Sequence, residues 1–138
     1  ALDLSDEALA IARANAASNG ASVRFLRSDW FSAVGDERFE LIASNPPYIA
    51  AGDEHLSQGD LRFEPVGALT DHADGLSALR IIIEGAPDHL EPGGWLLLEH
   101  GYDQAQAVRA LAQARGFIEA QSWRDLSGIE RVSGGRLA

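Results

Sequence analysis

Helical and strand-like spacings of apolar residues alternate along this chain. Ala1-Leu2-Asp3 reads as the end of a strand, and Ser5 is placed to cap a helix whose first turn holds Asp6 and Glu7, acidic groups suited to the positive end of a helix dipole. Leu9, Ala12 and Ala16, with Ala8 and Ile11 beside them, form the apolar face of that helix, and Asn19-Gly20 supplies its stop. Val23 to Leu26 predicts a short strand ending near Asp29-Trp30, and Phe39 to Ser44 predicts the next. From Ile49 to about Ala73 no period is sustained, and irregular segments of that length in a compact domain are usually lids or binding loops. Leu76, Leu79, Ile83, Ala86 and Leu90 return to helical spacing, with Pro87 expected to kink or end the regular part. Pro92-Gly93-Gly94 predicts a turn, and the apolar run in Trp95-Leu96-Leu97-Leu98-Glu99 is of the kind found in strands covered on both faces. Ala105, Val108, Leu111 and Ala112 predict the last helix, closed by Gly116, before an antiparallel pair at Phe117 to Trp123 and Glu130 to Leu137. The alternation implies an α/β, doubly wound fold with a mainly parallel sheet, in one domain.

Composition narrows the function classes. The 138 residues are 46% hydrophobic, enough for a sizeable core, so disordered and disulfide-stapled classes drop out. A formal charge of −10, with no Lys, argues against a nucleic-acid surface, whose affinity comes from clustered cations. The charge itself reads as a solvated acidic face. With no Cys there are no disulfides and no thiolate metal sites. No apolar stretch approaches the roughly 20 residues of a membrane span. The start has neither a basic leader nor an apolar signal core, and Met is absent altogether, so a fragment is expected.

Asn45-Pro46-Pro47-Tyr48, directly after the strand-like run, carries the most specific chemistry. In open α/β sheets ligands collect beyond the carboxyl ends of strands. Two prolines restrict their own φ and the residue before each, which holds the Asn45 and Pro46 carbonyls in set directions. A polar amide beside a stiff carbonyl can grip a planar NH2 group, an arrangement that reads as methyl-transfer machinery. Elsewhere the signals are weaker. His55, His72, His89 and His100 lack the i, i+4 spacing of a helical metal pair and read as satisfied or solvated residues, so no metal is expected. Gly93-Gly94 and Gly134-Gly135 read as turn or bulge glycines, since neither opens a helix after a strand.

Asp3 with its helix, Ser28-Asp29-Trp30-Phe31, Ser44 to Ile49, Arg62-Phe63-Glu64-Pro65 and Leu96 to Gly101 form an ordered series of blocks. Together they make the chain resemble the HemK-type protein-(glutamine-N5) methyltransferases, which modify peptide-chain release factors. The resemblance implies a Rossmann-like class I methyltransferase fold and S-adenosyl-L-methionine as cofactor. It also implies a cytoplasmic enzyme, a release factor as partner, and no direct contact with nucleic acid or membrane. Residues 1–138 would be the C-terminal catalytic domain, incomplete at its N-terminal side, without the first strand and Gly-rich loop. That strand lies between those ending at Asp3 and Ser44 in the family, so two unpaired sheet edges are expected, inviting association of the isolated chain.

Roles carry over residue by residue. Asp3 is implied to hold the ribose hydroxyls, Asp29 the adenine amino group and Trp30 the adenine ring, with solvated acids and a core aromatic as the bland alternatives. Asn45, which also borders the cofactor, and Pro46 are implied to accept one N–H each from the substrate amide. Pro47 and Tyr48 wall the pocket, Tyr48 near the reacting centre, and Phe63 and Glu64 position the substrate loop. Three alternatives stay open: a glutamine methyltransferase of a ribosomal protein, a methyltransferase acting on the N6 amine of adenine in DNA or RNA, and an inactive module lacking the cofactor loop.

Overall fold

The computed structural model describes residues 1–49, 69–70 and 74–138. It divides into two compact units, Ala1–Glu37 and Arg38–Ala138.

In the first unit β1 (Leu2–Asp3) leads into α1 (Asp6–Ser18) and β2 (Leu26–Arg27). Ser5 caps α1 as its position predicts, accepting from the Ala8 amide at 3.1 Å, while its own amide donates to Asp3 Oδ1 at 2.8 Å. At the other end Gly20, at φ +64°, reverses the chain, and the Ala21 amide returns to the Ala16 carbonyl at 2.9 Å. The strands pair in parallel, Leu2 opposite Leu26 and Asp3 opposite Arg27. Ladder pairing begins at Leu26 rather than Val23; upstream the chain is held outside the ladder, by the amino terminus donating to the Arg24 carbonyl at 2.6 Å, by the Arg24–Glu37 ion pair and by Arg13 over the Phe25 ring.

The second unit is a four-stranded sheet in the order β3-β4-β6-β5, with β3 (Phe39–Ser44), β4 (Leu90–Glu99), β5 (Phe117–Arg124) and β6 (Glu130–Leu137). β3 and β4 run parallel, and β6 is antiparallel to both β4 and β5. Two helices serve it, α2 (Ser77–His89) and α3 (Ala105–Ala114). Ala78, Leu79, Ile82, Ile83 and Ala86 of α2 pack with Leu90, Leu96 and Leu98 of β4, Val108 and Ala112 of α3, and Phe117 as the core. Among the described residues β1 pairs only with β2, and β3 only with β4, so each leaves one edge open. No helix among them is long and apolar enough to cross a membrane.

Four local expectations change. Pro87 lies inside α2, which continues to His89. The lost amide bond falls in the last turn, where Arg38 donates to the Pro87 carbonyl at 3.2 Å and the Leu90 carbonyl at 2.6 Å. Pro92-Gly93-Gly94 interrupts β4 rather than preceding it, since Phe39 pairs with Leu90 but Leu41 with Trp95. Gly93 takes φ +80°, and a side chain at Gly94 would meet the Glu91 carbonyl at 2.9 Å. The apolar run of β4 is not uniformly covered, because Leu96 and Leu98 are buried while Trp95 and Leu97 on the opposite face are half-buried. Gly134-Gly135 sits inside the central strand β6, where a Cβ on Gly134 would fall 2.0 Å from the Leu96 carbonyl oxygen. The bulge lies on β5 opposite them, between Ile118 and Gln121, with Glu119 at φ +55°.

A buried polar chain crosses this sheet. His100 and Ser133 are fully buried, with His100 Nε2 2.7 Å from Ser133 Oγ and Ser133 Oγ 2.6 Å from Ser122 Oγ. Arg109 donates to Ser122 and lies 3.4 Å from Glu130. At the other end His100 Nδ1 lies 2.8 Å from the Gly101 carbonyl. A carbonyl only accepts, so Nδ1 carries the proton. In the neutral ring Nε2 then accepts from Ser133, which accepts from Ser122, which accepts from Arg109. Every buried polar group is satisfied in that one direction, which is the satisfied-histidine reading of His100.

Candidate active site

Parallel pairing sets Ser44 opposite Leu98, so Asn45 and Glu99 emerge side by side at the carboxyl ends of β3 and β4. Between them is an open hollow of about 360 Å³ lined by Ala43, Ser44, Asn45, Leu97, Glu99 and Val132. Val132 enters from β6, where it pairs with Glu99. Position follows register here, because a slip of one residue would turn Ser44 and Leu97 to the wrong faces. Asn45 is exposed and Pro46 buried. Among the described residues nothing hydrogen-bonds to the Asn45 side chain or to the Pro46 carbonyl, which leaves two acceptors free beyond the strand end.

The loop that carries them is fastened further along. The Tyr48 hydroxyl donates to Glu99 Oε1 at 3.0 Å. Burial, then this bond, then the Glu99 charge push the Tyr48 phenol above its usual range, and Arg131 opposes them. The phenol therefore stays protonated and acts as a donor. The Ile49 amide donates to the Leu69 carbonyl at 2.9 Å, and Ile49 forms a parallel bridge with Thr70. Gln104 Nε2 donates to the Tyr48 carbonyl at 3.0 Å and to the Gly75 carbonyl at 3.2 Å, while Gln104 Oε1 accepts from the Gly101 amide at 2.8 Å.

Asp3, Asp29 and Trp30 belong to the first unit, all at the carboxyl ends of the parallel pair β1–β2. Asp3 is exposed, and its Oδ1 holds the Ser5 amide. No described residue bonds its Oδ2, which leaves a carboxylate oxygen suited to a ribose hydroxyl. Asp29 is exposed, and Trp30 is half-buried at φ +49°. The turn they form is held by Ser28, whose buried hydroxyl donates to the Trp30 carbonyl at 2.6 Å and accepts from the Ala33 amide at 3.0 Å. Asn45, Pro46, Pro47 and Tyr48 cluster in the second unit. Phe63 and Glu64, like His55 and His72, lie outside the described residues. Glu99 and Gln104 have no role in the sequence reading. Glu99 stands in a quoted block, and Gln104 is one polar residue at a helix start, with no periodicity to single it out.

The family model "methyltransferase small domain" matches residues 1–60. The release factor glutamine methyltransferase of Bordetella pertussis is 59% identical over 99% of this chain, which covers 51% of that relative. The chain is a homologue of the release factor glutamine methyltransferases. It spans about half the length of the curated relatives it matches. A solved protein-(glutamine-N5) methyltransferase (release factor-specific) from Alicyclobacillus acidocaldarius is 27% identical, with TM-score 0.52 over 92% of this chain and 72% of that one. A methyltransferase from Pyrococcus furiosus, 21% identical, superposes with TM-score 0.70 over 98% of this chain and 59% of that one. The fold is accordingly the α/β Rossmann-like fold of class I methyltransferases.

Proposed function

We propose that the chain is part of the catalytic domain of an S-adenosyl-L-methionine-dependent methyltransferase that modifies the side-chain nitrogen of a glutamine in a peptide-chain release factor, in the cytoplasm. One observation carries the reading: the free Asn45 oxygen and free Pro46 carbonyl stand together at the strand end, on a loop fixed by Tyr48. The relatives' names point the same way.

A glutamine amide is a poor nucleophile because its nitrogen lone pair is delocalised into the carbonyl. With one N–H accepted by Asn45 and the other by Pro46, the nitrogen is pinned and its π face presented. Orientation of this kind contributes on the order of 7–11 kcal/mol at best. The two oxygen dipoles also stabilise positive charge growing on nitrogen. The proton becomes acidic only as the new N–C bond forms, so water suffices to remove it. Pro47 and Tyr48 wall the pocket, and Phe63 and Glu64 guide the substrate segment. Asp3 would hold the cofactor's ribose, Asp29 and Trp30 its adenine, with Asn45 at the border of both ligands. The cofactor supplies an electrophilic methyl on a sulfonium.

The test is methyl transfer by the full-length gene product, with labelled cofactor, to release factor, ribosomal protein and DNA. Label on release factor, reduced roughly 10²–10³-fold by Asn45→Ala with cofactor affinity nearly unchanged, is the expected result. Label on ribosomal protein or DNA alone, or Asn45→Ala with full turnover, would overturn the reading. The net charge of −10 already weighs against DNA.

A further inference from the structure

Gln104 never reaches the hollow, yet it joins three backbone segments around it. The polarity of its partners leaves its amide one orientation. The Gly101 amide can only donate and so faces Oε1, while the Tyr48 and Gly75 carbonyls can only accept and so share Nε2. One acceptor and two donors at the end of a two-methylene stem is a demand that Gln meets. Glu lacks the donors, Lys lacks the acceptor, and Asn lacks the reach. The residue is also the backbone N-cap of α3, but its side chain makes no capping bond, so the loop contacts are its own.

The anchor on the far side is rigid. Gly101 follows His100, whose ring is held by Ser133 and by the Gly101 carbonyl. Space there is tight, since a Cβ on Gly101 would meet Gln104 Oε1 at 3.1 Å and Cδ at 3.2 Å. Two bonds then fix Tyr48 from opposite ends of the residue, Gln104 on its carbonyl and Glu99 on its hydroxyl.

We propose that Gln104 is a positioning residue for methyl transfer: by fastening the Tyr48 carbonyl to the end of β4 and the start of α2, it sets the directions in which the Asn45 and Pro46 oxygens point. This rests on the reading that those two oxygens clasp the substrate amide. Gln104 touches neither substrate nor cofactor, so its removal costs turnover and spares cofactor affinity.

Gln104→Glu in the full-length gene product is the decisive variant. It keeps size and the Gly101 contact but sets a carboxylate oxygen against two carbonyls. Turnover should fall about 10- to 100-fold, with cofactor affinity by calorimetry unchanged within about two-fold. Lowering the pH from about 8 to about 6 should raise the ratio of variant to wild-type turnover, because the protonated carboxyl regains one donor and the facing carbonyls favour that form. A merely structural loss has no reason to recover in acid. Gly101→Ala is the second variant, pressing on the Gln104 amide without deleting any hydrogen-bonding group, and about a three- to ten-fold loss of turnover is expected. Wild-type turnover in both folded variants, or a loss with no acid recovery in Gln104→Glu, overturns the proposal provided Asn45→Ala lowers transfer as expected above. If Asn45→Ala leaves transfer intact, the functional reading fails instead.

Discussion

Ser133→Ala tests whether the buried polar chain through His100, Ser133 and Ser122 contributes to stability. The hydroxyl is fully buried, 2.7 Å from His100 Nε2 and 2.6 Å from Ser122 Oγ, and deleting it leaves both neighbours short of a partner. His100 is as buried as Ser133, so its Nε2 bears the full penalty of an unmet acceptor, about 1–3 kcal/mol. Ser122 is only half-buried, so water relieves its hydroxyl and it adds less than about 1 kcal/mol. A total of about 2–3 kcal/mol, read by equilibrium urea unfolding with a slope of about 1–2 kcal/mol per molar, moves the midpoint down by roughly 1–3 M. The partner variant His100→Phe orphans the Ser133 hydroxyl in its turn. Combined, the two should cost about 1 kcal/mol less than their sum, because each removes what the other has already broken. Strict additivity, or a Ser133→Ala loss below about 0.5 kcal/mol, would show that ring and hydroxyl share no bond worth the name.

Three further outcomes follow from the geometry. Gly134→Ala forces a methyl to within 2.0 Å of the Leu96 carbonyl oxygen, inside a ladder neither strand can leave, and should destabilise the chain by about 3 kcal/mol or more in the same urea assay. Tyr48→Phe should remove an absorbance step at high pH that lies above the usual tyrosine value of about 10. Because the folded state holds that proton more tightly, the stabilisation linked to it is complete below about pH 10 and fades as pH rises through the folded value. The wild type should therefore lose ground to Tyr48→Phe as pH rises above about 10. Asp125 behaves in the opposite sense. The Ile129 amide above all, then Ser127 and Arg131, hold its carboxyl below the usual range against some burial, so its contribution is present above about pH 4 and lost as acid is added. Hydrogen exchange at Ile129 should quicken on acidification relative to ladder-bonded amides in the middle of β6, and an Asp125→Asn chain should show no such change.

Much of the fold is legible because burial imposes a period. The spacing of Leu79, Ile83 and Ala86 marks α2, and the Ser5 and Gly20 signals bound α1 within a residue or so. The Asn45-Pro46-Pro47-Tyr48 loop is legible for another reason: two prolines leave the chain few alternatives, whatever surrounds it. What escapes is set by neighbours distant in sequence. Pro87 costs its helix only the bond to the Ile83 carbonyl, close to the end, and Arg38 occupies the terminal carbonyls of Pro87 and Leu90, so a local rule against proline overstates the break. Gly134 looks like a turn residue until the Leu96 carbonyl is found where its side chain would be. Gln104 and Glu99 are ordinary polar residues until register and loop bring the Tyr48 carbonyl and hydroxyl to them.

Gly101 gives its amide to Gln104 and its carbonyl to His100, so the middle of the sheet and the reactive corner share one hinge point. On the proposed reading, warming that loosens His100 would also slacken the Asn45 corner through Gly101, and methyl transfer would fade at temperatures where circular dichroism still reports an intact molecule. Adaptation to hot or cold habitats then has a foothold at Ser122 and Ser133, neither of which lines the hollow.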